Sequence, residues 1–254
     1  MNSLVKIILN IIPRRILTRL SFILKPAIKI FLSGKKYVDP IDGSSFRKFI
    51  PYGYNEVRKN ALSPSTFSLE RHRLLWLYLK NETDFFKKQI NVLHFAPESA
   101  FLERFKKLKN ISYSTIDLDS PLADIKADIC NLPLDDETYD FILCNHVLEH
   151  IIDDKKAMQE LYRVMKKGGV GIFQVPLNMS SKKTYEDFSI TDPAQRNKAF
   201  GQYDHVRIYG MDFFERLEKV GFDVEKCDYI SKLKPEEIIK YCLPKNELIP
   251  VCRK

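Results

Sequence analysis

Residues 145 to 150 read Asn-His-Val-Leu-Glu-His, which sets an amide, two imidazoles and a carboxylate within six positions. His146 is the leading general-base candidate, because an unperturbed imidazole titrates near about 6.5 and suits taking a proton from a hydroxyl. Glu149 and His150 are read as the structural start of the following helix. A second cluster lies in a long polar insertion, where Glu186 is followed by Asp204, His205 and Arg207. Here His205 offers a second base, and Arg207 with Glu186 and Asp204 offers contacts to a sugar or phosphorylated acceptor. The alternative for this cluster is a salt-bridged lid without chemistry. Asp117 and Asp128 are carboxylates suited to accepting hydrogen bonds from hydroxyl and amine groups.

These groups need elements to position them, and the hydrophobic pattern supplies an alternation of strand and helix. Residues 91–96, 112–117, 139–145 and 170–175 read as strands, with helices over 99–108 and 153–166 between them. Gly168-Gly169 is expected to stop the second of these helices. A helix over 211–220 and strands over 222–229 and 247–252 complete the series. This order predicts right-handed crossovers and a mostly parallel sheet, whose ligand lies past the carboxyl ends of the central strands. His94 to Ala100, Asp117 with Leu118, Asp128 with Ile129, and Asn145-His146 all fall at such ends.

The chain has 254 residues, 44% hydrophobic, enough for one full core with an appendage. Its basicity is local: residues 1–60 hold twelve Lys/Arg against three Asp/Glu, and the remainder is close to neutral. In residues 1–32 the basic side chains alternate with Ile and Leu, which predicts amphipathic helices on an anionic membrane surface and not a nucleic-acid interface. A helix that caps the catalytic domain or packs in a dimer is the alternative. Arg14, Arg15 and Arg19 interrupt any signal-peptide core or membrane span. Five cysteines without a C-x-x-C pair argue for a reducing compartment, hence a cytoplasmic protein held peripherally at the inner face. No Walker sequence, glycine triad, nucleophile elbow or zinc spacing is present, which disfavours kinase, dehydrogenase and hydrolase chemistry and gives no metal site.

IKADICNLPLDDETYDFILCNHVLEHI, residues 125–151, resembles the middle of a class I S-adenosylmethionine (SAM)-dependent methyltransferase of the type 11 kind. The resemblance extends over about residues 88–254 and implies a Rossmann-like, doubly wound α/β fold with a seven-stranded, mostly parallel sheet. It implies SAM as cofactor, held by His94, Phe95, Ala96 and Glu98, by Asp117 and Leu118 at the ribose, by Asp128 and Ile129 at the adenine, and by Asn145 and His146. Ala96, Glu98 and Ala100 stand where the family has glycines, so Glu98 would receive the methionine ammonium while Ala96 still permits close approach. Residues 37–80 more loosely resemble an N-terminal extension with two C-x-x-C knuckles. Here those knuckles read Asp39-Pro40-Ile41-Asp42 and Ser63-Pro64-Ser65-Thr66, a degenerate, cysteine-less zinc ribbon. The first knuckle is expected to be a solvated turn, and the loop is expected to be held by Phe46, Phe49, Tyr52 and Tyr54. Glu70-Arg71-His72-Arg73, opening the next helix, is read as a surface ion-pair cluster or as facing the site.

The division expected is an arm over 1–36, a small extension over 37–87 and a methyltransferase domain over 88–254. The function expected is methyl transfer to a hydroxyl of a saccharide or glycan precursor at a membrane surface. A lipid or quinone acceptor is the alternative within that class, and a non-catalytic methyltransferase-like binding protein is the alternative outside it.

Overall fold

The computed structural model describes residues 24–53 and 57–254. The amphipathic arm expected over residues 1–32 lies outside the described residues up to residue 23, and its last part, 24–31, is helical. Tyr54 also lies outside. The chain then forms strands β1 (Ser33–Val38), β2 (Ser45–Phe46), β3 (Ile50–Tyr52) and β4 (Arg58–Leu62), followed by helix α1 (Glu70–Glu82). Next come β5 (Ile90–Phe95), α2 (Ser99–Phe105), β6 (Ile111–Asp117), β7 (Ile125–Lys126), β8 (Tyr139–Cys144), α3 (Asp154–Val164) and β9 (Met165–Ile172). The last group is β10 (Tyr185–Glu186), α4 (Pro193–Phe200), β11 (Arg207–Ile208), α5 (Phe213–Glu218), β12 (Asp223–Cys227), α6 (Pro235–Lys240) and β13 (Ile249–Arg253). The chain divides into two compact units, one running up to Trp76 and including Lys234–Lys245, the other made of Leu77–Leu233 and Asn246–Lys254. The division falls inside α1, eleven residues before the expected boundary at 87/88, and a late segment returns to the first unit.

In the first unit β1 pairs with β2 and β3 with β4, both antiparallel. Phe46 and Phe49 meet edge to face at 5.8 Å and bury with Leu32. Tyr52 is exposed and takes no part in that cluster. The two knuckles come together through hydrogen bonds. Thr66 Oγ1 and Ser68 Oγ donate to Asp39 Oδ2, and Ser65 Oγ donates to Asp42 Oδ1. Asp39 is wholly buried although Asp42 and Gly43 of the same turn are exposed, so the turn is solvated on one side only: a buried carboxylate needs donors, and the Thr66 and Ser68 hydroxyls supply them. Arg73 is also fully buried, against the expectation of a surface cluster. Its guanidinium donates to the carbonyl oxygens of Ala61, Ser68, Tyr241 and Cys242 at 2.6–3.0 Å.

The second unit holds a seven-stranded sheet in the order β12-β13-β9-β8-β5-β6-β7. β9, β8, β5, β6 and β7 run parallel, and β13 is antiparallel to both β9 and β12. The central strands INVLHF and YDFILC are nearly unbroken apolar runs, as strands covered on both faces must be. α3 packs Ala157, Met158, Leu161 and Val164 against the sheet, a spacing of one helical face, and the Asp153 carboxylate caps it by accepting from Lys156 N at 2.9 Å. Its end differs from expectation. The chain leaves the helix at Met165, and Gly168-Gly169 lies inside β9, where the pairing with β8 shifts between Tyr139 and Phe141. Gly168 has φ +76°, a left-handed conformation that the bulge requires and that glycine adopts without penalty.

Candidate active site

Three parallel strands end side by side. Phe95 pairs with Cys144 on one flank and Ile116 on the other, so the next residues, Ala96, Asn145 and Asp117, line up at one sheet edge. Ala96 adopts φ +44° and donates its N–H to Ile116 O at 2.9 Å. That left-handed conformation is the one a glycine would take without penalty, so the backbone path of a glycine loop persists in an alanine. His94 is fully buried beneath it. Tyr113 O–H donates to His94 Nδ1 at 2.7 Å, and His94 Nε2 pairs with the Glu98 carboxylate. Burial pushes the Tyr113 phenol far above its ordinary range, which keeps it a donor. Glu98 Oε1 also accepts from Asn145 Nδ2 at 3.3 Å. The two strand ends are thereby latched, and Glu98 carries a structural task beyond the ammonium contact expected of it. Phe95 is 3% exposed and belongs to the core, leaving only its backbone for a ligand.

Asp117 accepts the N–H groups of Asp119 and Ser120 at 2.9 and 2.8 Å through Oδ1, which shapes the turn, and Oδ2 remains for a ligand. Leu118 beside it is 63% exposed, a large apolar face at the sheet edge. Asp128 is exposed and accepts from Cys130 N at 2.8 Å, the geometry of a turn cap. Ile129 is 5% exposed and packs into the core instead of presenting a face to a ring.

After β8 the chain turns sharply. His146 sits at φ +56° and donates its N–H to Gln174 O at 2.7 Å, while Asn145 Oδ1 accepts from Gln174 N. Gln174 anchors this turn from the end of the neighbouring strand; its one sequence signal is an amide closing the apolar run GVGIF. A 3-10 turn, Leu148–His150, then brings Glu149 back over His146, with His146 Nδ1 3.3 Å from Glu149 Oε1. Glu149 is 1% exposed, and its Oε2 has no hydrogen-bond partner among the described residues; the same holds for His146 Nε2. Burial works to raise the Glu149 pKa, but the hydrogen bond and charge of His146 outweigh it and the net shift is downward. A carboxylate facing Nδ1 favours the tautomer with its proton there, so that neutral His146 has its lone pair on Nε2.

His205 comes to the same place. Its ring stands perpendicular to that of His150 at 4.7 Å, and Val206 N donates to Glu149 O at 3.0 Å. Burial pushes His205 below its ordinary value. The other members of the expected substrate cluster have internal partners. Arg207 is 1% exposed and donates to the carbonyl oxygens of Leu148, Ile151 and Ile152 and to Glu186 Oε2. Arg216, which sequence reasoning missed, bridges Glu186 and Asp154, both at 2.9 Å. Asp204 is tied to Gln202 and His150. Glu186 and Arg207, expected at the substrate, are paired with internal partners here: the buried Arg207 charge requires it, and the part-exposed Glu186 meets both Arg207 and Arg216. The salt-bridged reading describes them.

Residues 81–173 match the family model described as Methyltransferase domain. The chain is 27% identical over 106 residues to a protein of Mycolicibacterium smegmatis named as a probable S-adenosylmethionine-dependent methyltransferase, a match covering 41% of this chain and 37% of that one. It is 28% identical over 92 residues to an uncharacterized protein of Methanocaldococcus jannaschii, covering 36% and 42%. The chain spans about two fifths of the length of these relatives. Among solved structures, a SAM-dependent methyltransferase of Archaeoglobus fulgidus is similar with a TM-score of 0.45 and 16% identity, covering 71% of this chain and 93% of that one. The strand order, with β13 reversed between β9 and β12, is that of the Rossmann-like sheet of class I methyltransferases, and residues 81–173 of this unit match the methyltransferase domain model.

Proposed function

We propose that the protein is a SAM-dependent methyltransferase acting on a hydroxyl of a small molecule. The observation that carries this is the alignment of Ala96, Asp117 and Asn145 at the ends of three paired strands. The residues there suit the cofactor: a close backbone approach at Ala96, a free carboxylate oxygen on Asp117 for ribose hydroxyls, and the exposed Leu118 as an apolar cover for the adenine. When bound, SAM supplies a methyl group already activated on a sulfonium. The protein's part is then to hold the acceptor oxygen in line and to take its proton, which falls to His146 Nε2, with Glu149 fixing the tautomer through Nδ1.

A saccharide acceptor is supported by the exposed aromatic faces of Tyr185, Phe188 and Tyr203 in the polar insertion, which suit stacking on a sugar ring. A membrane-surface location is supported by the charge pattern of residues 1–32 and by Leu24, Ile30 and Phe31, all exposed on the helical segment 24–31. No helix of the described residues is long and apolar enough to cross a membrane.

Titration calorimetry of the full chain with SAM and with S-adenosylhomocysteine tests the proposal. Micromolar binding that weakens at least about tenfold in Asp117→Ala is expected, the loss of about 1.4 kcal/mol from a charged hydrogen bond. No binding to the unaltered protein would transfer support to a non-catalytic binding role. Deleting residues 1–32 should release the protein from anionic vesicles while leaving SAM binding intact; retained vesicle binding would sink the anchor.

A further inference from the structure

Glu149, His150 and His205 can each turn one ligand atom toward a common centre, and these three atoms lie within 4.8 Å of one another. We infer that they form a site for a divalent transition-metal cation. Ligand atoms about 2.0–2.2 Å from a shared ion stand roughly 3–4 Å apart, so a small rotation of the rings closes the set. Sequence spacing gave no hint of this. Glu149 and His150 are adjacent, but the third donor is 55 positions away and arrives only because β11 follows the turn that carries it.

Three observations support a ligand here, each independent of the spacing. Glu149 is 1% exposed, and although Oε1 meets His146, Oε2 is a buried oxygen with no hydrogen-bond partner among the described residues, an acceptor that a cation would satisfy. His150 Nδ1 faces the carbonyl oxygen of Asp204 at 3.2 Å. A carbonyl can only accept, so neutral His150 keeps its proton on Nδ1 and Nε2 carries the lone pair, the arrangement by which a backbone carbonyl orients a metal-ligating imidazole. Finally, the three donors are held by a rigid frame. Val206 N is bonded to Glu149 O, and the buried Arg207 ties the carbonyls of Leu148, Ile151 and Ile152.

Two imidazoles and one carboxylate, without a thiolate, select a borderline ion such as zinc, iron(II), cobalt(II) or manganese(II) over calcium. Three protein ligands leave positions open, as catalytic sites do and structural zinc sites do not. The open positions would take an oxygen of the methyl acceptor. That role rests on the methyltransferase reading, whereas cation binding itself does not. His146, whose Nδ1 meets the other oxygen of Glu149, stands beside the ion and can receive the proton of a coordinated hydroxyl.

Cobalt(II) titration of the full chain, followed by visible absorption, tests the site, with SAM calorimetry run on the same preparation. One equivalent is expected to bind without a thiolate charge-transfer band, and affinity should fall at least about tenfold in Glu149→Gln and in His205→Ala, with SAM affinity within about twofold of the unaltered protein. If His205→Ala does not fold, His150→Gln reads the same loss. No cobalt, zinc or manganese binding by the unaltered protein, or binding that survives Glu149→Gln, overturns the site. Cation binding without SAM binding would retain it and remove only its role in methyl transfer.

Discussion

Arg207 lies under the turn that carries Glu149 and donates from Nη1 to the carbonyl oxygen of Ile151 at 2.7 Å. The same guanidinium satisfies Ile152 O and pairs with Glu186. Replacing it with Met keeps much of the volume and leaves these acceptors unpaired in a dry place. Arg207→Met should therefore lose about 3–5 kcal/mol in urea unfolding, the range for breaking a buried ion pair. A loss under about 1 kcal/mol would mean that water reaches these acceptors.

His94 bridges Tyr113 and Glu98 from a fully buried position. His94→Phe removes both partnerships at similar size, and the Tyr113 hydroxyl is left without its acceptor. A destabilisation of about 1–3 kcal/mol is expected, the cost of the unsatisfied Tyr113 hydroxyl. Because Glu98 then loses its His94 partner while keeping Asn145, SAM affinity should change as well. Calorimetry on the variant would show unchanged affinity if the latch has no bearing on the cofactor.

Ala96 holds a left-handed backbone that costs an L-residue roughly 1–2 kcal/mol. Part of this would be returned by Ala96→Gly, reduced by the greater chain entropy of glycine when unfolded. The variant should be more stable by up to about 1 kcal/mol in thermal unfolding. A less stable variant would mean that the Ala96 methyl contributes packing that outweighs the backbone penalty.

The Glu186 carboxyl is held below its ordinary 4.5: burial alone would raise it, and the Arg216 and Arg207 guanidinium groups more than offset that. A carboxylate with a depressed folded pKa contributes stability that is present above its unfolded value and is lost as pH falls through the folded one. The stability gap between the unaltered protein and Glu186→Gln should therefore be level from about pH 8 to 5 and close below about pH 4.5. Urea midpoints across that range provide the check; a gap that widens in acid would contradict it.

The second unit was legible where one residue type dominated a whole element. INVLHF and YDFILC announce buried parallel strands because no polar alternation interrupts them. The positions at their ends followed from topology, and Ala96, Asp117 and Asn145 do converge. Reading failed where partners are distant in sequence. Arg207 and Glu186 read as ligand-seeking charges, and only the fold shows that Asp154 and Arg216 complete a closed network. Gly168-Gly169 followed an amphipathic run and read as a helix stop, yet the bulge in β9 makes the same conformational demand. Pairing of His146 with Glu149 also escaped notice, since three residues bring side chains together only once the 3-10 turn exists.

Arg73 reaches across 168 positions to the carbonyl oxygen of Tyr241. Synthesis from the amino end proceeds through both knuckles and α1 well before that acceptor emerges. Until Tyr241 and Cys242 leave the ribosome, the Arg73 guanidinium lacks two of the four carbonyls that it holds when folded. Domains ordinarily fold in the order in which they are made. Here the first unit to begin is among the last to be finished, and the seven-stranded sheet, which still awaits β13, matures almost together with it.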